Sequence, residues 1–378
     1  MNIEKYHPYM LELLKRLVET ESPSNEKTAV DQVGKIITDE LSTLNAGIEL
    51  IRNEITGDHI IAKFYEPSNR IDENGEKGFL ILCHFDTVYP IGTIRNMPFQ
   101  KIDDRLMGPG VADMKSGSVI GLTAIKSLID DETMPSKPIT FLFTSDEEIG
   151  SGTSKEWIEK LARDSSLVLV LEPGMPDGSI KTWRKGVGNF QIDVQGKAAH
   201  SGGNHAKGSN AIEELAHQVI RIQSLTNYDI GTTLNVGVVK GGTVVNAVPD
   251  HAWMGVDMRV MQPGEAERIK EVIYNLQPVL QGTTIKVTGG LNRPPMPFND
   301  LMRMTFNKAK HIATGIGLDL TASGTGGASD ANFISPMGIP VLDGLGAVGG
   351  DYHSKDEYIV EESLISRTQL LTTILQNW

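Results

Sequence analysis

The 378-residue chain contains a single cysteine, Cys83, so it cannot form a disulfide bond within itself. Basic residues are also scarce: 35 Lys and Arg stand against 48 Asp and Glu, and a net charge of −13 would repel a phosphate backbone. No apolar run approaches the roughly 20 residues that a membrane helix needs, and residues 1–9 lack the basic stretch and apolar core of a signal peptide. We therefore expect a cytoplasmic protein that binds neither nucleic acid nor membranes.

The length is well above the usual domain length of about 150 residues, so the sequence predicts more than one hydrophobic core. Nearly continuous apolar runs bounded by turn residues are typical of strands buried on both faces, and they occur at 78–83, 138–144, 167–171 and 340–342. The spacing of apolar residues predicts helices at 9–20, 29–41 and 115–128. This order of strand, helix and strand predicts an α/β fold, with a mostly parallel mixed sheet flanked by helices.

The pattern changes from about Lys185 onward. Strands are predicted at 189–195, 232–240, 252–260 and 284–287, and helices at 210–225 and 265–280. The order βαββαβ is that of a ferredoxin-like α+β unit, and loops rich in Gly and Pro bound it near 184–188 and 289–297. We therefore predict a larger domain formed by residues 1–184 and 295–378, with a smaller domain inserted at 185–294.

Acidic and imidazole side chains recur just after the predicted buried strands, where ligands collect in open α/β sheets. Like charges crowded at one edge would repel one another and raise one another's pKa, so a pair of divalent cations is expected between them. Histidine nitrogen and carboxylate oxygen suit zinc, and also manganese or cobalt, while the absence of cysteine ligands argues against a structural zinc site. The residues are His84, Asp86, Asp113, Glu147, Glu148, Glu172 and His353, together with the neighbouring Asp146 and Asp351.

Each of these residues has a simpler interpretation when it is taken alone. His84 could be a hydrogen-bonded histidine of the core or the surface, Glu147 and Glu148 could be solvated loop charges, and Asp113 could cap the helix that follows it. The joint occurrence of the whole set favours a metal site. His59 has no partner that the sequence identifies, so a surface or capping role is its default interpretation.

The same residues lie in motifs that resemble those of the M20 metallopeptidases, and within them most closely the glutamate carboxypeptidase (carboxypeptidase G2) type. The resemblance runs over essentially the full length. One departure is Cys83, which stands where relatives often have a small hydroxyl residue before the histidine, and we expect it to have no consequence. The motifs are HFDTV at 84–88, GPGVADMK at 108–115, TSDEE at 144–148, EP at 172–173, AHS at 199–201, NAVP at 246–249 and YHS at 352–354.

The resemblance implies a fold of the zinc-exopeptidase type and a role for each metal-site residue in the larger, catalytic domain. Asp113 would bridge the two metals; one site would be completed by His84 and Glu172, and the other by Glu148 and His353. A bridging carboxylate can hold two ions at the separation of roughly 3.5 to 4 Å that is typical of two-metal hydrolases.

Two further carboxylates of the larger domain have implied roles. Glu147 would be the general base, which takes a proton from the attacking water and returns it to the leaving amine. Asp86 lies two positions after His84 on an extended chain, so it can reach the imidazole and fix its tautomer.

The resemblance also gives roles to residues of the inserted domain, which would act as a lid and pair with its copy to form a homodimer. His200 would donate to the developing oxyanion, often from the partner subunit, and Asn246 and Arg259 would hold the free carboxylate of the substrate. Gly327 would add backbone contacts to that carboxylate, and Arg293 is a further candidate. Without the resemblance, His200 would be interpreted as an exposed loop histidine and Arg259 as a surface salt-bridge partner.

Together these expectations describe a dinuclear zinc metallopeptidase, with cobalt or manganese as alternatives, that cleaves an amide bond adjacent to a free carboxylate. A carboxypeptidase acting on small peptides or N-acyl amino acids is the first hypothesis. An aminoacylase, an N-acyl amino acid deacetylase or a di- or tripeptidase of the same superfamily is the alternative within the enzyme class. A non-catalytic metal-binding protein on the same fold is the alternative of another class, and the presence of every ligand and of Glu147 speaks against it.

Overall fold

The computed structural model describes residues 2–64 and 77–378. Its α-helices are α1 (His7–Glu19), α2 (Lys27–Thr43), α3 (Ser116–Asp130), α4 (Lys155–Arg163), α5 (Ala211–Gln223), α6 (Pro263–Tyr274), α7 (Asp300–Thr314), α8 (Ala331–Ile334) and α9 (Glu362–Asn377). Short 3₁₀ turns lie at Ile3–Tyr6, Thr93–Arg95, Glu147–Ile149, His205–Lys207, Tyr228–Ile230 and Ser335–Met337, and a π-helical turn lies at Val111–Lys115.

The strands form several sheets. They are β1 (Gly47–Ile51), β2 (His59–Phe64), β3 (Gly78–His84), β4 (Gln100–Ile102), β5 (Arg105–Met107), β6 (Ile139–Thr144), β7 (Ser165–Val170), β8 (Ile180–Arg184), β9 (Gly186–Gln195), β10 (Ala199–His200), β11 (Thr233–Gly241), β12 (Ala247–Val248), β13 (His251–Val260), β14 (Thr284–Arg293), β15 (Ala322–Thr325), β16 (Val341–Asp343), β17 (Gly349–Gly350) and β18 (Tyr358–Val360).

The chain divides into two compact units. The first contains the described residues of Met1–Trp183, Phe298–Thr325 and Ser329–Trp378, and the second contains Arg184–Pro297 with the short return Gly326–Ala328. The predicted insertion, 185–294, lies inside the second unit. The return of residues 326–328 to that unit has no counterpart in the sequence prediction.

The first unit contains an eight-stranded mixed sheet in the order β1-β2-β6-β3-β7-β16-β8-β15. Its central strands β6, β3, β7 and β16 are parallel, while β1, β2 and β8 pair antiparallel, which confirms the predicted α/β fold class. Every residue of β3 is buried, as expected of a strand that helices cover on both sides. In α1, Met10, Leu13, Leu14 and Leu17 are buried at helical spacing and anchor the helix to the core.

The second unit contains a four-stranded antiparallel sheet in the order β11-β13-β9-β14. With α5 after β9 and α6 after β13, this is the strand order of a ferredoxin-like unit. Along β13, buried residues alternate with more exposed ones, because one face of the sheet packs on a core of its own that also contains residues of α5 and α6.

Two predicted elements of this unit have the wrong length. The helix predicted at 265–280 ends at Tyr274, because Pro278 cannot continue a helix and disfavours helical backbone at the residue before it. The strand predicted at 284–287 continues to Arg293. Gly289 and Gly290, which have positive φ, interrupt the apolar alternation without ending the strand, so the sequence pattern hides its second half.

Within residues 2–64 and 77–378, each helix is too short or too polar to cross a bilayer.

Candidate metal centre

The predicted ligands of the first unit come together near one edge of its sheet. The parallel strands β3, β6 and β7 carry their carboxyl ends to this edge, where side chains from neighbouring loops can converge. The structure places His84 at the end of β3, Glu148 after β6, Glu172 after β7, Asp113 just before α3 and His353 after β17.

The first group of potential ligands consists of His84, Asp113 and Glu172, whose donor atoms all lie within 4.8 Å of one another. The Nε2 atom of His84 lies 3.1 Å from Oδ1 of Asp113 and 3.6 Å from Oε1 of Glu172. His84 and Glu172 are buried and Asp113 is nearly so. One imidazole nitrogen and two carboxylate oxygens therefore face a common point.

The second group consists of Asp113, Glu148 and His353, again with donor atoms within 4.8 Å of one another. The Nε2 atom of His353 lies 3.3 Å from Oδ2 of Asp113 and 3.2 Å from Oε2 of Glu148. Asp113 thus belongs to both groups, with one carboxylate oxygen directed at each imidazole. This is the arrangement that a carboxylate bridging two cations requires.

The charges of the site fit a pair of cations. Burial, followed by the charge of Asp113, raises the pKa of Glu148 to about 7. Hydrogen bonds to Asp113 and Glu148 raise the pKa of His353 to about 11. Burial alone would lower the pKa of His84, but hydrogen bonds to Asp113 and Asp86 raise it well above its usual value. These shifts favour protonated imidazoles beside the carboxylates, and a pair of divalent cations would supply the same positive charge.

Asp86 contacts both the His84 imidazole and the backbone of Glu147 and Glu148. The Nδ1 atom of His84 lies 3.1 Å from the backbone oxygen of Asp86 and 3.4 Å from its Oδ1 atom, which leaves Nε2 facing Asp113. The same carboxylate accepts the backbone N–H groups of Glu147 and Glu148, each at 3.2 Å, and the hydroxyl of Ser24 at 2.7 Å. Asp86 is fully buried, so these contacts fix its position.

Glu147, the predicted general base, is buried and begins the 3₁₀ turn that also contains Glu148. A buried network supports this turn from behind. His59 accepts the backbone N–H of Ser145 on Nδ1 at 3.2 Å, so its proton is on Nε2, 2.9 Å from Oγ1 of Thr153. Thr153 in turn donates to Asp146 at 2.7 Å.

The surface or capping role expected for His59 is wrong, because the side chain is buried and burial lowers its pKa. Its partners lie more than 80 positions away along the chain, so no local sequence signal could identify them.

Glu357 is a second residue that sequence reasoning missed. Its buried carboxylate accepts the backbone N–H groups of Ala112 at 2.8 Å and Asp113 at 3.0 Å. Asp113 is the residue that both groups of potential ligands share. The only available signal was its position four residues after His353, in a segment with other charged residues.

The second unit contains the remaining predicted residues. His200 is exposed in β10, and its Nδ1 accepts the backbone N–H groups of Gly202 and Gly203, so its proton is on Nε2. Asn246 immediately precedes β12, the strand that pairs with β10, and its backbone oxygen accepts the N–H of Ser201 at 3.1 Å. The structure therefore brings His200 and Asn246 to the same small sheet.

Arg259 and Arg293 lie on either side of Val187, the residue of β9 that both face in the register of the sheet. The guanidinium of Arg259 forms a two-point ion pair with Asp257, with Nε 2.9 Å from Oδ1 and Nη2 3.0 Å from Oδ2. Arg293 is buried. The salt-bridge interpretation of Arg259 is therefore correct as far as it goes, although Asp257 uses only part of the donor capacity of the guanidinium.

Gly327 lies in the return segment 326–328, where its backbone oxygen accepts Nη1 of Arg184 at 3.3 Å. Nη1 of Arg259 lies 3.5 Å from the backbone oxygen of the neighbouring Gly326. Arg184 is buried and was not predicted, because a basic residue between two strands carries no sequence signal of its own.

Comparison with known proteins places these residues in a family. The model of the peptidase family M20/M25/M40 matches residues 80–377. Carboxypeptidase G2 of Pseudomonas sp. (strain RS-16) is 28% identical over 371 residues, which cover 95% of this chain and 86% of that protein. Succinyl-diaminopimelate desuccinylase of Acinetobacter baylyi is 29% identical over 318 residues, which cover 79% and 82%.

Solved structures agree with the fold. A tripeptidase from Staphylococcus aureus superimposes with a TM-score of 0.77 at 20% identity and covers 98% of both chains. A dinuclear metal-binding peptidase of the M20 family from Bacillus subtilis superimposes with a TM-score of 0.70 at 17% identity and covers 99% of this chain and 98% of that one. At these identities the structural similarity concerns the fold.

Proposed function

The chain belongs to the peptidase family M20/M25/M40, and from this membership we propose that it is a two-metal amidohydrolase that cleaves an amide bond next to a free carboxylate. The proposal names a carboxypeptidase of the glutamate carboxypeptidase type that acts on small peptides or N-acyl amino acids. The observation that carries it is that Asp113 belongs to both groups of potential ligands. The buried Glu147 directly precedes Glu148, a member of the second group.

The metal ions would be held by His84, Asp113 and Glu172 on one side and by Asp113, Glu148 and His353 on the other. Zinc suits this combination of imidazole and carboxylate ligands, and cobalt and manganese accept the same donors. When bound, the ions would supply Lewis acidity toward the scissile carbonyl and the attacking water. The dinuclear site described for the related Bacillus subtilis peptidase supports the proposal of two ions.

The protein's own groups would do the remaining chemistry. Glu147 would accept a proton from the attacking water and donate it to the leaving amine. Asp86 would keep the His84 ring in place through Nδ1, while its contacts to the amides of Glu147 and Glu148 hold the base at a constant distance from the ligands. His200 would donate from Nε2 to the developing oxyanion, in agreement with the tautomer that its Gly202 and Gly203 contacts impose.

Recognition of the free carboxylate is proposed for Arg259 and Asn246, with Gly327 and Arg293 as additional contacts. Asp257 takes Nε and one proton of Nη2, and the backbone oxygen of Gly326 lies 3.5 Å from Nη1, so one further proton on each of Nη1 and Nη2 would remain for a ligand. A carboxylate fits such a pair in a two-point geometry. The relative called carboxypeptidase G2 supports the choice of a carboxypeptidase.

An aminoacylase or other N-acyl amino acid deacylase, and a di- or tripeptidase, are the alternatives within the same chemistry. The desuccinylase among the relatives favours the first alternative and the tripeptidase among the solved structures the second. All three activities share the metal centre and differ in the acyl group that the protein accepts.

A homodimer through the inserted domain and a cytoplasmic location complete the proposal. The edge strand β11 lies at the end of its sheet, and its Val238 and Val239 are about half exposed. An exposed, apolar strand edge is a template for pairing with another chain, and an antiparallel pair of identical edges satisfies twofold symmetry. Light scattering after size-exclusion chromatography would test this proposal, and a monomer at micromolar concentration would contradict it.

The substrate class can be tested by a steady-state screen of acyl-glutamates, acetylated amino acids and tripeptides. Each substrate is paired with its C-terminal carboxamide, which keeps the shape and removes the charge. We expect kcat/KM to be at least tenfold higher for the free acids, with acyl-glutamates preferred. Equal rates for acids and carboxamides would refute the carboxylate requirement, and a preference for free tripeptides would favour the peptidase alternative.

A further inference from the structure

Glu357 is a fully buried carboxylate whose hydrogen-bond partners all belong to the surroundings of the metal ligands. Its Oε1 atom accepts the backbone N–H groups of Ala112 at 2.8 Å and of Asp113 at 3.0 Å. Its Oε2 atom accepts the hydroxyl of Tyr89 and, at 3.4 Å, the N–H of Gly110. An ionised carboxylate only accepts hydrogen bonds, and the three backbone N–H groups can donate to it. The Tyr89 hydroxyl has one proton, which it can donate either to Oε2 of Glu357 or to the backbone oxygen of Ser354.

The two contacts to Oε1 fix the backbone at the residue that both ligand groups share. These two N–H groups belong to the peptide groups before and after Ala112. Because both point at one oxygen, the orientation of both peptide planes is defined, including the plane that leads into Asp113. The side chain of Asp113 must serve two partners at once, with Oδ1 at 3.1 Å from His84 and Oδ2 at 3.3 Å from His353. A rotation of its backbone would move both oxygens away from these positions together.

The same carboxylate also connects the segments that carry the other ligands. Tyr89 lies five residues after His84, and Glu357 lies four residues after His353. The Tyr89 hydroxyl contacts both Glu357 and the backbone oxygen of Ser354, the latter at 2.9 Å. Three ligand-bearing segments therefore meet at one buried side chain.

We propose that Glu357 is a positioning residue that sets the orientation of Asp113 between the two candidate metal sites. It acts through the backbone of Asp113 and touches neither substrate nor reacting atoms. The inference rests on the proposed metal centre and adds a residue that determines how tightly this centre binds metal. Outer groups that orient metal ligands typically change metal affinity 10- to 100-fold when they are removed.

The test is a titration of the metal-free full-length chain with zinc, by competition with a chelating dye, for the wild type, Glu357→Ala and Glu357→Gln. We expect zinc affinity to fall about 10- to 100-fold in Glu357→Ala. In Glu357→Gln we expect zinc affinity to fall only several-fold, because the amide oxygen can still accept the N–H groups of Ala112 and Asp113. Some loss is expected because the NH2 group replaces Oε2 and cannot accept the N–H of Gly110. Thermal unfolding of the metal-free variants is measured in parallel to separate stability from affinity.

Glu214 provides a matched control in the other unit. It is also fully buried, and its carboxylate accepts the backbone N–H groups of Val279 at 2.9 Å and Leu280 at 2.7 Å. Glu214→Ala removes a comparable buried acceptor, so it should lower the unfolding temperature and leave zinc affinity within twofold of the wild type. A general effect of losing any buried carboxylate would instead lower zinc affinity in both variants.

The outcomes separate this inference from the proposed function. If the wild type binds zinc and folded Glu357→Ala binds it equally tightly, the positioning role is refuted and the metal centre is not. If Glu357→Ala fails to fold, Glu357→Gln decides, and an affinity within twofold of the wild type refutes the inference. A wild-type chain that binds no zinc would refute the metal centre itself, and the positioning role with it.

Discussion

Replacement of Arg259 by alanine tests the proposed recognition of the substrate carboxylate. In the structure the Arg259 side chain is about one-third exposed, and its guanidinium is oriented by a two-point contact with Asp257. A charged hydrogen bond contributes about 1.5–3 kcal/mol net. Arg259 would form two such bonds to the substrate carboxylate, but solvent screens charges at a partly exposed site, so we use the value of a single bond for the pair. At about 1.36 kcal/mol for each tenfold change, this predicts a loss of roughly 10- to 150-fold in kcat/KM.

The assay compares an N-acyl amino acid with its carboxamide, so that a general loss of activity cancels in the ratio. The wild-type preference for the free acid should fall by the predicted factor in Arg259→Ala, while turnover of the carboxamide changes little. Arg259→Lys is the matched control, because it keeps the charge but not the two-point geometry. Its preference for the free acid should lie between those of the wild type and Arg259→Ala. An equal loss on acid and carboxamide would show that Arg259 supports the fold of the second unit and does not select the carboxylate.

The other predictions concern the metal centre and the stability of the second unit. Glu147→Gln should retain both metal ions and lose about 10²- to 10⁴-fold or more in kcat; retained turnover would refute the assigned base. Asp113→Ala, which removes a ligand from both groups, should lose both ions in elemental analysis, whereas His353→Ala should lose one; equal losses would contradict the shared position of Asp113. Burial raises the pKa of Glu214, but hydrogen bonds, led by the Leu280 amide, outweigh burial and keep the pKa below 4.5. Because the folded-state pKa is depressed, its stabilisation is present above about pH 4.5 and is lost as the pH falls further. The difference in unfolding temperature between wild type and Glu214→Gln should therefore shrink from pH 7 to pH 3, and a constant difference would refute this.

The sequence predicted the fold where hydrophobic periodicity is strong. The short continuous apolar runs that became β3, β6 and β7 are typical of strands covered on both faces, and their length and the turn residues that bound them favour a strand over a buried helix. Gly289 and Gly290 interrupt the apolar alternation of β14, so its predicted end came too early. The apolar spacing of α6 continues through Leu276 and Leu280, so its predicted end came too late, although Pro278 cannot continue a helix. The return of residues 326–328 to the second unit depends on tertiary contacts that no local pattern records.

The strand-end pattern predicted where the potential ligands lie, because acidic and imidazole side chains recur there, and the resemblance to the M20 metallopeptidases selected the ligands among them. Glu357 and His59 could not be predicted, because their roles depend on hydrogen bonds to backbone groups far away in the chain. A buried carboxylate and a solvated one look the same in a sequence. Residues that orient ligands are therefore harder to predict than the ligands themselves.

The most direct test of the metal centre is the metal content of active, carefully purified protein, measured together with its hydrolysis of an N-acyl amino acid before and after chelation. The proposed metal centre predicts about two transition-metal ions per chain, loss of turnover when they are removed, and recovery when zinc is returned. Full activity in material that contains no bound transition metal, unaffected by chelators, would contradict it.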